Sequence, residues 1–146
     1  GTLNFASIAG AMTAVEYLGS WGNGPDLHTR LVRAMKDIGT HEHELARTYY
    51  EGVTAMPGVT VWGPGFGSQR RAPTVSITID GVHPRDAARQ LGEQGIAVWA
   101  GHFYAVRPIE VLGLADQGGV IRVGISMYNT RSEIERLLEA VEALAA

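Results

Sequence analysis

The sequence predicts an α+β domain in which a small, mostly antiparallel sheet is packed with helices. Three observations carry this expectation. Apolar residues recur at three-and-four spacing along the first 55 positions, the period of a helix. The pattern then changes to alternation over 59–62 and 74–80, the period of a strand. From there strand-like and helical runs interleave to the end of the chain. A chain of 146 residues with 45% apolar content is long enough to bury one core.

The first helix is expected from an N-cap at Asn4 to about Gly19, with Phe5, Ile8, Ala9, Met12, Val15 and Leu18 on one face. Residues Gly19 to Pro25 are dense in breakers and form the one candidate linker. A second helical stretch covers about 26–55. Leu27, Leu31, Met35 and Ile38 make one stripe, and Leu45, Tyr49 and Val53 another, with Gly39 between them as the place for a bend. Pro57-Gly58 stops it. Strands follow at 59–62 and at 74–80, where Val75, Ile77 and Ile79 alternate with polar residues. Pro84 suits the first turn of a helix that carries Ala87, Ala88 and Leu91 and stops at Gly95. Ile96 to Val98 reads as a short strand and 101–119 as a long loop. Val120 to Met127 is the next strand, with Arg122, Gly124 and Ser126 on the face of Val120. Thr130 and Glu133 form a capping box for a last helix striped by Ile134, Leu137, Leu138, Val141 and Leu144.

Composition removes several function classes. The chain has no cysteine, which excludes disulfides, thiolate metal sites and cysteine nucleophiles. Eleven of its 12 basic residues are arginine, Lys36 is the single lysine, and the net charge is −3. A weakly acidic chain without a basic stripe is a poor nucleic-acid binder. No apolar run approaches the roughly 18 residues that span a bilayer. The opening Gly1-Thr2-Leu3-Asn4 carries no initiator Met, so a piece of a longer protein is expected.

Several motifs invite a chemical reading. In His41-Glu42-His43-Glu44 the histidines are two apart and face different sides of a helix, whereas a zinc-protease helix needs them four apart. A solvated charged face is expected there. Gly63-Pro64-Gly65-Phe66-Gly67-Ser68 joins two strands and lacks the spacing and following helix of a phosphate loop, so it reads as a hairpin connection. Lys36, mid-helix among polar neighbours, reads as a surface lysine. Arg122 sits in an apolar strand but faces small residues. Such an arginine holds a carboxylate through paired hydrogen bonds, or pairs with an acid of its own domain such as Glu110 or Asp116. Gly101-His102-Phe103-Tyr104 enters a strand-end loop, where histidine and tyrosine serve proton transfer or pack over a core edge.

Four stretches, in order, resemble one family. Gly1-Thr2-Leu3-Asn4 is similar to a GT-x-N segment. The run from Gly95 to His102 is similar to a GI-x-V-R-x-GH stretch. Ile121 to Ser126 is similar to an R-x-S strand. Tyr128-Asn129-Thr130 with Glu133 and Glu135 is similar to a YNT-x-EE run before the last helix. The family is the class V aminotransferases, which include the cysteine desulfurases, fold type I enzymes that use pyridoxal phosphate. The resemblance implies the small C-terminal domain of such an enzyme over residues 25–146, preceded at 1–24 by the tail of its large domain. It implies that Arg122 binds the substrate carboxylate. Thr2, with Gly1, would reach the cofactor phosphate of a neighbouring subunit in a homodimer. Asn129 and Thr130 look structural, as turn and cap. His102 and Tyr104 would stand on the active-site loop, Tyr104 at the position of the desulfurase cysteine. Phenol cannot carry a persulfide, so desulfurase chemistry is not implied. Trp99 and Phe103 stand in place of an arginine and a histidine.

The family's Schiff-base lysine, its pyridine-facing aspartate and its ring-stacking residue lie upstream of the GT-x-N segment. The implied parent is a cytoplasmic transferase or lyase acting on an amino acid, and this chain alone is expected to be inactive. The reading set against it is a free-standing, non-catalytic interaction module, with Trp99, Phe103 and Tyr104 as its patch. A metal role for His41, His43 and His102 ranks third.

Overall fold

Polar side chains start the helices where the sequence places them. Asn4 caps α1 (Phe5–Ser20), its side-chain oxygen accepting from the Ser7 amide at 3.1 Å. Asp26 precedes α2 (Leu27–Thr54) and accepts from the Thr29 amide at 2.8 Å and the Thr29 hydroxyl at 2.9 Å. Those bonds, the amide's first, hold its carboxyl below the ordinary aspartate range. The computed structural model describes residues 1–67 and 71–146. They form two compact units, Gly1–His41 and Glu42–Ala146, with the division inside α2.

In the first unit, α1 keeps Phe5, Ile8, Met12 and Val15 exposed, an apolar helix face turned to solvent. The first part of α2 buries Ala34 and Ile38 but leaves Met35 exposed, so the expected stripe is only partly covered. Gly39 does not interrupt α2, which runs as one helix through it. One glycine costs about 1 kcal/mol in a helix interior, which a hydrogen-bonded ladder continuing on both sides absorbs.

The second unit is built on a four-stranded sheet. Its strands are β1 (Val59–Trp62), β2 (Thr74–Ile79), β3 (Trp99–Gly101) and β4 (Val120–Gly124), in the order β1-β2-β4-β3. All three pairings are antiparallel. Period-two alternation gives the sheet two unlike faces. Val75, Ile77, Ile79, Ile121 and Val123 are buried on one. Leu45, Ala46, Tyr49 and Val53 of α2 pack on it. Ala87 of α3 (Pro84–Glu93) joins them, with Ile134, Leu137 and Val141 of α5 (Arg131–Ala145). α5 starts at the expected capping box. Thr130 accepts from the Glu133 amide, and the Glu133 carboxylate accepts from the Thr130 amide at 2.8 Å.

Three boundaries differ from expectation. The strand expected at 96–98 forms instead at Trp99–Gly101. Ile96 and Val98 are half-buried against the core, while the ladder pairs Trp99 with Arg122 and Gly101 with Val120. The stretch 101–119 is not all loop, because Val106–Val111 is a short helix, α4. Pro108 lies in its first turn, where a missing N–H costs no helical hydrogen bond. The strand expected to reach Met127 ends at Gly124. Asn129 closes a turn there, its side-chain oxygen accepting from the Ser126 amide at 2.8 Å. Asn129 and Thr130 thus act as the expected turn and cap.

Candidate active site

The outer face of the sheet is where polar and aromatic residues meet. Register places Trp62, Ser76, Arg122 and Trp99 in one row across β1, β2, β4 and β3. Directly paired residues project to the same face, with Cβ atoms roughly 4.5–5.5 Å apart. Arg122 is therefore flanked by Ser76 on one side and Trp99 on the other, on a strand paired along both edges. That is a stiff mount for a long side chain. Trp62 is tied down on the same face by its indole N–H, which donates to the Thr78 hydroxyl at 3.0 Å.

A strained turn delivers the fourth component. The Ala105 amide donates to the His102 carbonyl at 2.7 Å. The two residues inside that turn, Phe103 and Tyr104, have φ of 52° and 61°. Two successive left-handed residues are the habit of Asn-Gly, and each non-glycine residue there costs about 1–2 kcal/mol. The turn lays the Phe103 ring over the Arg122 guanidinium, 4.3 Å from carbon to ring centroid. Phe103 also packs against the small cluster of Ile109, Leu114 and Val120, which holds it in place. Tyr104 projects from the tip and is 97% exposed.

Arg122 is stacked but not ion-paired. Among the described residues no carboxylate or carbonyl engages its N–H groups. Glu110, one acid the sequence offered as a partner, pairs instead with Arg107 at 3.3 Å. A guanidinium with one ring face covered and its N–H edges open retains the fork that grips a carboxylate. His102 is exposed, and its Nδ1 accepts from the Tyr104 amide at 3.2 Å. In the neutral ring the proton then sits on Nε2, making that atom a donor. Gly101, His102 and Gly119 line a groove of about 390 Å³ with His83, Ile109 and Glu110.

The structure stacks Phe103 on Arg122 and carries His102 and Tyr104 on the same turn as Phe103. Gly1 and Thr2 belong to the first unit, where both are exposed ahead of α1. The Thr2 hydroxyl and amide make no hydrogen bond among the described residues, and that donor pair suits a phosphate oxygen. Lys36 is exposed on α2, as expected, and no buried amine is present to hold an aldehyde. In the 41–44 segment His41 and Glu44 are exposed, while His43 packs edge-on against Phe66 with centroids 5.2 Å apart. The Gly63–Gly67 segment leads out of β1 toward its antiparallel partner β2, as a hairpin connection does, and Ser68 lies outside the described residues. Among the described residues no helix is long and apolar enough to cross a membrane.

Sequence reasoning gave neither Trp99 nor Phe103 a role in the site, naming them as departures from the family's motif and as part of a surface patch. Their link to Arg122 depends on strand register and on a left-handed turn that carries no glycine. No local signal announces either.

The family model for "Aminotransferase class-V" matches residues 1–137. A probable cysteine desulfurase of Halalkalibacterium halodurans is 32% identical over 142 residues, covering 97% of this chain and 30% of that protein. Among solved structures, a cysteine desulfurase of Escherichia coli superposes with a TM-score of 0.76 at 25% identity, over 98% of this chain and 31% of that one. A cysteine desulfurase from Thermococcus onnurineus gives 0.69 at 27% identity, over 84% of this chain and 32% of that one. The chain thus spans about 30% of the length of the relatives it matches.

Proposed function

Because this chain belongs to the class-V aminotransferase family, we propose that it is the C-terminal portion of a pyridoxal-phosphate-dependent enzyme in which Arg122 holds the carboxylate of an amino-acid substrate. Family members use pyridoxal phosphate, which when bound supplies an electron sink for the carbon beside the substrate amine. The observation that carries the proposal is Arg122 itself. It is rigidly mounted, covered on one ring face and open at its N–H edges.

Each further role follows from chemistry. Thr2, with the Gly1 backbone, offers donors to the cofactor phosphate, across a homodimer if the assembly follows the family. His102 presents Nε2–H as a donor at the rim of the groove. Tyr104 places a phenol where a cysteine desulfurase would carry its sulfur acceptor, and a chain without cysteine has no thiolate to accept sulfur. This favours a transferase or lyase step in which no residue of this chain carries a persulfide.

We assign residues 1–24 to the end of the large domain and 25–146 to the small one. The exposed apolar face of α1 supports that assignment, since a helix so apolar normally lies against protein. The lysine that binds the cofactor then comes from outside this chain, which alone does not turn over.

The test is amino-acid binding by the whole enzyme, read from the cofactor's absorbance. Arg122→Gln should weaken binding at least tenfold, the scale of a lost charged hydrogen-bond pair, about 1.5–3 kcal/mol. Binding as tight as in the unsubstituted enzyme would sink the assignment.

A further inference from the structure

The outer face of the sheet carries a single charged strand residue. Its other positions are Thr60 and Trp62 on β1, Thr74, Ser76 and Thr78 on β2, Val120 and Gly124 on β4, and Trp99 and Gly101 on β3. None of these ionises, so Arg122 is the one charge that the strands themselves place on this face. Two aromatic side chains bracket it. Phe103 covers the guanidinium from the turn. Trp99 is its direct neighbour on β3 and is 66% exposed, unusual for a tryptophan on a strand. An exposed tryptophan beside an unpaired arginine is a common core of a binding site.

We propose that Trp99 and Phe103 determine specificity, making Arg122 the anchor of a site selective for amino acids with an apolar, ring-bearing side chain. The inference rests on the reading of Arg122 as the carboxylate anchor and adds what lies next to that carboxylate. An amino acid held at Arg122 has its α-carbon two bonds beyond the carboxylate oxygens that the guanidinium grips. Its side chain then lies over the sheet face or between the two rings. Among the strand residues of that face a second carboxylate on the ligand would find no cation beyond Arg122, and an ammonium no anion, while Arg107 and Glu110 of α4 are engaged with each other. An aromatic side chain finds ring faces and loses water in settling on them. Ser76 and Gly124, small neighbours of Arg122, leave space above the sheet for it. The aromatic cover also shields the guanidinium from water, which strengthens its bond to a carboxylate.

The experiment titrates the whole enzyme with L-phenylalanine, L-alanine and L-aspartate, following the cofactor's absorbance and the fluorescence of Trp99. L-phenylalanine should bind about tenfold more tightly than either of the others and move both signals. Trp99→Thr, which puts a β-branched residue suited to a strand on the exposed edge, should bring the three ligands within about threefold of one another. Phe103→His, which keeps a ring on the turn, provides a second variant and should narrow the preference in the same direction. Equal binding of the three ligands, dependent on Arg122, overturns this inference and leaves the carboxylate anchor standing. Binding unaffected by Arg122→Gln, or no shift with any ligand, overturns the anchor and the inference together. A preference that survives both aromatic substitutions overturns the inference alone.

Discussion

Tyr49 and Arg122 show how single residues behave when the fold decides their surroundings. Tyr49 lies in the helical stripe that the sequence marks as apolar, and it is fully buried. Among the described residues its hydroxyl is the one buried side-chain polar atom without a hydrogen-bond partner. An orphaned buried hydroxyl keeps its desolvation cost, about 1–3 kcal/mol. Tyr49→Phe should therefore raise stability by about 1 kcal/mol near neutral pH, read as a higher denaturation midpoint with an unchanged m-value. A loss of stability would show that the hydroxyl has a partner. Burial also pushes the phenol well above its ordinary value, because the phenolate is desolvated. The folded state then keeps its proton after the unfolded chain has lost it. This contribution is complete below about pH 10 and is lost as pH rises beyond it, at about 1.4 kcal/mol per pH unit. The stability gap between the Phe variant and the parent should widen above pH 10. Arg122 is the contrary case. Its residue type and strand face are readable in the sequence, but the absence of an acid partner is not, because Glu110 was equally available until the fold gave it to Arg107.

At the scale of elements, helix starts were the most legible features. Asn4, Pro84 and Thr130 sit at helix starts because their side chains or missing amide suit unpaired N–H groups. The carboxyl of Glu133 is held below the ordinary glutamate range chiefly by the Thr130 amide. The capping bond is thus present above the ordinary glutamate value and is lost as pH falls through the lowered one. What escaped was the turn at 102–105 and the position of β3. Both depend on β4, a partner some twenty residues away, and local propensity is silent about such pairing. The turn is strained because its sequence lacks the residues that favour it. Tyr104→Gly removes a left-handed tyrosine that packs on nothing, at some cost in unfolded-state entropy. It should stabilise the protein by about 0.5–1 kcal/mol in denaturant titration. An unchanged or lower stability would mean that the strain is relieved elsewhere. Gly119 marks the opposite case, since a Cβ there would run into the Gly101 backbone where β3 meets β4.

For the whole molecule, the exposed face of α1 has the clearest consequence. Phe5, Ile8 and Met12 are each more than half exposed along one helix. Such a stripe is an interaction surface or a route to aggregation. By itself the chain should self-associate with rising concentration, and Phe5→Glu with Met12→Glu should keep it monomeric in sedimentation. A parent chain that stays monomeric at every soluble concentration would remove the argument that a large domain covers this face.

The sequence alone determined the fold class, the family, the helix caps and the face of β4 on which Arg122 stands. The family follows from the four stretches that resemble it, and the rest from periodicity and from residue types that act on near neighbours. The tertiary structure decided which strands flank Arg122, that Phe103 stacks on it, and that among the described residues no acid neutralises it. Those outcomes depend on contacts between residues distant in the chain, where packing and register select one partner among several that the sequence makes equally possible.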